Sequence, residues 1–112
     1  IEGVGGPMVP IDDRHTVMDW MVRLKAEIIL VTGSYLGTIS HTLTTLKAME
    51  QYHLSPIGII ISESEVSPVP LKQTAETITR FAPKIPLITI PRVSVSTKSW
   101  TKVPDLLCLL KL

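Results

Sequence analysis

Two stretches of the sequence combine residue types that handle anions and cations. The first is Glu2-Gly3-Val4-Gly5-Gly6, a carboxylate followed by backbone that can wrap closely around a phosphate. A lone acid beside such backbone suits Mg²⁺, which keeps several waters and bridges to substrate phosphates through one or two carboxylates. A tight turn carrying a solvated acid is the plainer reading of the same residues. The second stretch is Thr32-Gly33-Ser34-Tyr35-Leu36-Gly37-Thr38-Ile39-Ser40-His41, which runs from a β-branched segment into a helical pattern. The backbone N–H groups of Gly37 to Ser40 then lie at the positive end of a helix dipole and offer a seat for a carboxylate or phosphate. Capping of the helix's own amides by Thr38 or Ser40 is the competing reading. No GxxxxGK[ST] segment occurs, so the chain has no Walker A loop of its own.

The other chemistry-bearing residues read as structural. His41 falls in the first turn of a helix with no acid at an adjacent helical position, and His15 and His53 stand isolated. No set of His, Cys and acidic residues has the spacing of a zinc site. Glu63 and Glu65 read as solvated loop charges after a strand, as do Asp12 and Asp13, while Asp19 is expected to support the loop over residues 3 to 13. The single cysteine, Cys108 in LLCLLKL, cannot make an internal disulfide and reads as a buried, unreactive thiol, which a reducing cytoplasm permits.

The elements that must position these residues are legible from hydrophobic patterning. EIILVTG at 27 to 33, IGIIIS at 57 to 62 and PLITIP at 86 to 91 are continuous apolar runs, expected of strands covered on both faces in a parallel sheet. Ile39, Leu43, Leu46 and Met49 share one helix face, and Leu71, Ala75, Ile78 and Ala82 follow a similar pattern after Pro68 and Pro70. A shorter helix is expected over Val17 to Leu24. Helix and strand alternate, which predicts an α/β fold with right-handed crossovers and a binding edge at the strands' C-terminal ends. Loops 3 to 13, 33 to 38, 62 to 68 and 91 to 99 would open there. The tail, with Trp100 and the LLCLL run, is expected to form a final helix interrupted near Pro104.

Bulk properties exclude several function classes. With 112 residues and 45% hydrophobic content the chain suits one globular domain. A net charge of +1 with scattered Lys and Arg gives no basic stripe for nucleic acid. No signal-peptide pattern and no apolar run of membrane-span length is visible, so no membrane partner is expected.

Taken together, IEGVGGPMVPI, the MDW at 18 to 20, IILVTGSYLGTISHTLTTLKAM at 28 to 49 and IGIII at 57 to 61 resemble the C-terminal half of dethiobiotin synthetase. The pattern in that family is a strand ending in EGAGG, a helix containing DW, a strand leading to K-L-G-x-I-N-H, and then G-x-x-x-N. The similarity is continuous from Ile1 to about Ser62 and faint afterwards, with Ile90-Pro91 as a further match.

The resemblance implies a P-loop NTPase-like, mostly parallel sheet flanked by helices. Residues 1 to 112 would be the C-terminal part of one such domain, and the half with the Walker A loop would lie outside them. Glu2 would end a central strand and help hold Mg²⁺ beside the phosphates of ATP, approached by Gly3, Gly5 and Gly6. Gly37, Thr38, Ile39 and Ser40 would hold the substrate's distal carboxylate across a homodimer interface, and the loops at Ser62 and Pro91 would border the adenine. The implied reaction carboxylates diaminopelargonic acid with carbon dioxide, phosphorylates the carbamate with ATP and closes the ureido ring. Catalysis of this kind rests on positioning and charge neutralisation, and the family's lysines for it belong to the other half. Three positions depart from the pattern: Tyr35 stands in place of lysine, Ser40 in place of asparagine, and Ser62 in place of an adenine-reading asparagine. Serine has one short hydroxyl where an amide offers a paired donor and acceptor.

Three readings follow. The first is a segment of an active dethiobiotin synthetase that is inactive alone. The second is a non-catalytic nucleotide-binding or dimerisation module of the same fold. The third is another P-loop, amide-forming synthase of cofactor biosynthesis. A partial parallel sheet is also expected to expose apolar faces.

Overall fold

The computed structural model describes residues 1–3, 5–93, 101 and 104–109. Helix α1 spans Val17–Leu24, followed by strand β1 Ile29–Gly33, helix α2 Thr38–Gln51, strand β2 Gly58–Ser62, helix α3 Leu71–Phe81 and strand β3 Leu87–Ile90. A single 3₁₀ turn covers Leu107–Leu109. The predicted helix, Val17 to Leu24, is found with the same limits, and each of the three apolar runs contains a strand.

The strands form one parallel sheet in the order β1-β2-β3. Two successive crossovers of the same hand, each stepping one strand in the same direction, place α2 and α3 on one face. The core lies between that face and the helices: Ile59 and Ile61 from β2, Leu46 from α2, Ile78 from α3 and Ala82 are buried together, with Leu30, Leu43 and Leu87 packed around them. Fully burying one such aliphatic side chain is worth about 1.5–3 kcal/mol, so this cluster anchors the strand ends that carry the loops. The result is a P-loop NTPase-like α/β fold.

Two expectations need correction, and a third is widened. Coverage on both faces holds for β2, but Val31 on β1 is 63% exposed; β1 is an edge strand, and Val31 points away from the helices, its neighbour Leu30 toward them. In α2 the expected residues do face inward, Leu46 and Met49 buried and Ile39 and Leu43 half-buried against the core, and the face also takes in the buried Thr38 and Thr42. The threonines can face inward because their hydroxyls are satisfied there. Cys108 is exposed: in its tight turn Leu109 points inward over Gly58, and the thiol turns outward to donate to the carbonyl of Asp105 at 3.3 Å. Of the expected tail helix, the described residues include this turn, and Trp100 lies outside them.

Helix α2 ends in a Schellman motif, in which Leu54 N–H bonds to Met49 O and His53 N–H to Glu50 O, both at 3.0 Å. His53 occupies the left-handed position with φ 56°. That explains this histidine structurally.

Candidate functional site

The turn from β1 into α2 is built by hydroxyl groups. Thr38 Oγ1 donates to the carbonyl of Gly33 at 2.6 Å and is in contact with Thr32 Oγ1 at 3.0 Å. Thr42 Oγ1 donates to Thr32 Oγ1 at 3.3 Å. Because each hydroxyl has one proton, the direction is fixed: Thr42 donates to Thr32, Thr32 to Thr38 and Thr38 to Gly33. The Thr38 hydroxyl is therefore consumed by the strand end and does not cap the helix. The N-cap is Gly37, with φ 93° and no side chain to offer, a backbone conformation that glycine adopts without strain. Thr38 N–H reaches Tyr35 O at 3.2 Å. Among the described residues, the N–H groups of Ile39 and Ser40 have no hydrogen-bond partner, so α2 begins with donors available to an anion.

A clasp ties this turn to the next loop. Ser34 is buried; its N–H donates to Ser64 Oγ at 3.0 Å, and Ser64 N–H donates back to Ser34 Oγ at 2.9 Å. Ser67 Oγ, whose single proton is shared with Val69 O at 2.8 Å, adds a weaker contact to Ser34 O at 3.1 Å. Such bonds contribute about 1 kcal/mol each, and more is lost when one partner is left buried and unpaired. The loop after β3 is joined in the same way, with Arg92 N–H donating to Glu63 Oε2 at 2.8 Å and its guanidinium 3.4 Å from Glu65 Oε2. Glu63 and Glu65 are thus loop connectors, where simple solvated charges were expected. Register completes the row: Gly33 pairs with Ser62, and Ser62 with Ile90, immediately before Pro91.

The N-terminal segment is held differently. Asp12 Oδ1 accepts from the N–H groups of Arg14 at 2.8 Å and His15 at 2.7 Å. His15 Nδ1 lies 2.8 Å from Asp12 Oδ2, and Arg23 contacts His15 Nε2 at 3.2 Å, so a proton on Nδ1 satisfies both partners at once. The Arg14 N–H first, and the His15 ring after it, holds the Asp12 carboxyl below its usual range. Asp19 accepts from Thr16 N–H at 2.7 Å and from its hydroxyl at 2.8 Å, as the third-position acid of a helix start; those two bonds, the N–H foremost, lower its pKa. Val17 N–H and Met18 N–H bond to Val9 O and Pro7 O. His15 is therefore not isolated, and Asp19 reaches the loop through Thr16, which bridges to Pro10.

The structure brings Gly37, Thr38, Ile39, Ser40, Ser62 and Pro91 to one edge of the sheet. Glu2, Gly3, Gly5 and Gly6 lie in the N-terminal segment: Gly3 faces Val17, and Gly6 to Pro10 face Thr44, Thr45 and Ala48 of α2 across a cleft of about 360 Å³. Val4 lies outside the described residues. Ile1 to Gly3 form no strand, and no hydrogen bond joins Glu2, Gly3, Gly5 or Gly6 to the strand-end loops among the described residues.

Glu2 is exposed, Gly5 has φ 82°, and among the described residues Glu2 has no hydrogen-bond partner and nothing fills the space beside Gly6. No cluster of three or more His, Cys, Asp or Glu is present among the described residues. This donor set fits a hard cation that takes one carboxylate and fills its other positions with water or phosphate oxygens, and it does not fit a cation that needs an all-protein cage. A second cleft, about 410 Å³, is mostly apolar and lined in part by Leu43, Leu46, Phe81 and Ile85. It lies toward the C-terminal ends of α2 and α3, away from the strand-end loops, and plays no part in this site. The clasp residues Ser34, Ser64 and Ser67 escaped sequence reading because their partners lie about thirty positions apart; the local sign is serine soon after the first two strand runs, Ser34 directly after Gly33 and Ser64 two residues after Ser62.

A family described as an AAA domain matches residues 1–99. The chain is 46% identical over 80 residues to an ATP-dependent dethiobiotin synthetase of Acidiphilium cryptum, covering 71% of this chain and 36% of that protein. The corresponding protein of Caulobacter sp. strain K31 is 45% identical over 92 residues, 82% of this chain and 40% of the relative. That of Lawsonia intracellularis is 35% identical over 99 residues, 88% and 46% respectively. The chain thus spans less than half the length of these relatives. No helix among the described residues is long and apolar enough to cross a membrane.

Proposed function

The chain belongs to the AAA-domain family, and from that premise we propose that the protein containing it is an ATP-dependent dethiobiotin synthetase. In this reading residues 1 to 112 are the C-terminal part of a P-loop-type domain. The protein converts diaminopelargonic acid and carbon dioxide to dethiobiotin through a phosphorylated carbamate. The supporting observation is the strand-end row: Gly33, Ser62 and Ile90 in register, with the unpaired N–H groups of Ile39 and Ser40 beside them.

Each part of the row has a role in the proposal. The α2 start, Gly37 to Ser40, holds the substrate's distal carboxylate by backbone N–H groups and the helix dipole. Ser62 and Pro91 border the nucleotide base, with the Glu63–Arg92 bond holding their two loops at a fixed separation. Glu2 supplies the carboxylate for Mg²⁺, and Gly3, Gly5 and Gly6 leave room for phosphate oxygens. Mg²⁺, when bound, neutralises phosphate charge. The acting form is a cytoplasmic homodimer in which a second copy faces the α2 start.

A second reading, a nucleotide-binding or dimerisation module without chemistry, is favoured by Tyr35, Ser40 and Ser62 replacing the lysine and two asparagines of the resembled pattern. One assay separates the two. The full-length gene product is incubated with MgATP, bicarbonate and diaminopelargonic acid, and dethiobiotin and phosphate are quantified. Equal amounts of both products support the synthetase; nucleotide binding without either product supports the module. An amide formed from a different acid and amine substrate would point to another synthase of the same fold.

A further inference from the structure

The turn between β1 and α2 contains glycine at both ends, Gly33 and Gly37, and glycine-rich backbone loses much freedom when ordered. Ser34 is fixed by its clasp with Ser64. The far half, Leu36 and Gly37, has no such clasp, and Leu36 is 83% exposed. Two ring side chains meet over the turn, one lying against each of its glycines. The Tyr35 ring lies against Gly33, with Cδ1 2.9 Å from where a β-carbon would stand. The His41 ring folds back over Gly37, with Cε1 3.4 Å from the equivalent point. Tyr35 Oη and His41 Nδ1 meet at 3.2 Å, and the ring centroids are 5.7 Å apart at 44°.

We propose that Tyr35 and His41 form a latch across this turn, which makes Tyr35 the positioning residue for the Ile39 and Ser40 amides. In the proposed latch the phenol donates to Nδ1 and the imidazole proton is on Nε2; the reverse arrangement, with Nδ1–H donating to the phenol oxygen, has the same 3.2 Å contact and is distinguished by the His41 nitrogen signals below. The assignment rests on the reading that these amides hold the substrate carboxylate. Tyrosine stands where the resembled pattern has lysine, so it brings no cation to the carboxylate. Affinity then depends on how well the backbone donors are held in place before the substrate arrives; the Thr38 hydroxyl ties the helix start to Gly33 and Thr32 on the inner side of the turn, and the latch adds a bond across Leu36 and Gly37 on the exposed side.

The test is a double-mutant cycle in the full-length gene product, with Tyr35→Phe, His41→Phe and the pair. Each single variant is expected to raise KM for diaminopelargonic acid about fivefold, with kcat and the KM for MgATP changed less than about twofold, and the double variant to lose no more than either single one. The imidazole nitrogens of His41, followed by NMR, should show the Nε2–H form in the parent and lose that preference in Tyr35→Phe. Additive losses, or an unchanged KM together with an unchanged His41 signal, overturn the proposal. If the parent protein makes no dethiobiotin, the functional reading fails separately. The latch is then decided by the His41 signal and by amide exchange at Ile39 and Ser40: faster exchange in Tyr35→Phe supports it, and unchanged exchange refutes it.

Discussion

The two glycine-containing loops differ in what holds them. The β1–α2 turn is bonded to residues about thirty positions away through Ser34, Ser64 and Ser67, and its backbone direction is set by a threonine relay on the strand end. The N-terminal segment is held by near neighbours: Asp12 on the turn that follows it, Asp19 on Thr16, and two backbone bonds to the start of α1. Glu2, at its start, has no hydrogen bond among the described residues. One loop carries its geometry with the fold, and the other carries a carboxylate on backbone that is free to adapt. In the proposed enzyme this is a division of labour, with a preformed seat for a fixed carboxylate and an adaptable arm for a cation and phosphates.

The comparison breaks first at the glycines. Gly33→Ala places a β-carbon 2.6 Å from Ser64 Oγ and 2.9 Å from Tyr35 Cδ1, and Ser64 cannot yield without losing its bonds to Ser34. Denaturant unfolding is expected to show a loss of about 1–3 kcal/mol. Ser34→Ala removes the acceptor of Ser64 N–H while leaving the turn's backbone intact, and should cost about 1–2 kcal/mol in the same measurement. Gly6→Ala, with nothing within 4 Å of the new carbon, should change stability by less than about 0.5 kcal/mol. Equal costs at Gly33 and Gly6 would erase the distinction between the loops.

The smallest effect expected is a pH dependence confined to the N-terminal segment. Asp12 has a lowered pKa, caused first by the Arg14 N–H and then by the His15 ring. A lowered pKa means that its stabilisation is complete above the ordinary carboxylate range and is lost as pH falls through the folded-state value. The protection factors of the Arg14 and His15 amides, corrected for the intrinsic pH dependence of exchange, should therefore fall on acidification below that range, and Asp12→Asn should remove the response. Exchange at Ser34 and Ser64 should not follow the same profile.

Much of the scaffold was legible in the sequence. The limits of α1 follow from its apolar spacing, and β2 from an unbroken isoleucine run that only a central strand can bury on both faces. The α2 face is wider than its apolar pattern because threonine counts as polar in a hydropathy pattern, although Thr38 and Thr42 bury their hydroxyls in bonds to Thr32. Val31 and Cys108 were misplaced for a related reason. Residue type suggests burial, but exposure depends on edge position for Val31 and on the direction of a tight turn for Cys108. The α2 start and the strand-end positions Ser62 and Pro91 could be located from the strand–turn–helix pattern. The clasp, the Glu63–Arg92 connection and the Tyr35–His41 pair could not, since each joins residues whose proximity only the fold creates.

The most direct test of the account is hydrogen–deuterium exchange on the full-length gene product, alone and with MgATP plus diaminopelargonic acid. The account predicts slow exchange at Ser34 and Ser64 in both states. It also predicts that Gly5 and Gly6 exchange fast in the free protein and slow on adding MgATP, and that Ile39 and Ser40 slow on adding the substrate. Protection of Gly5 and Gly6 without ligand, or no change at Ile39 and Ser40 with substrate bound, would contradict it.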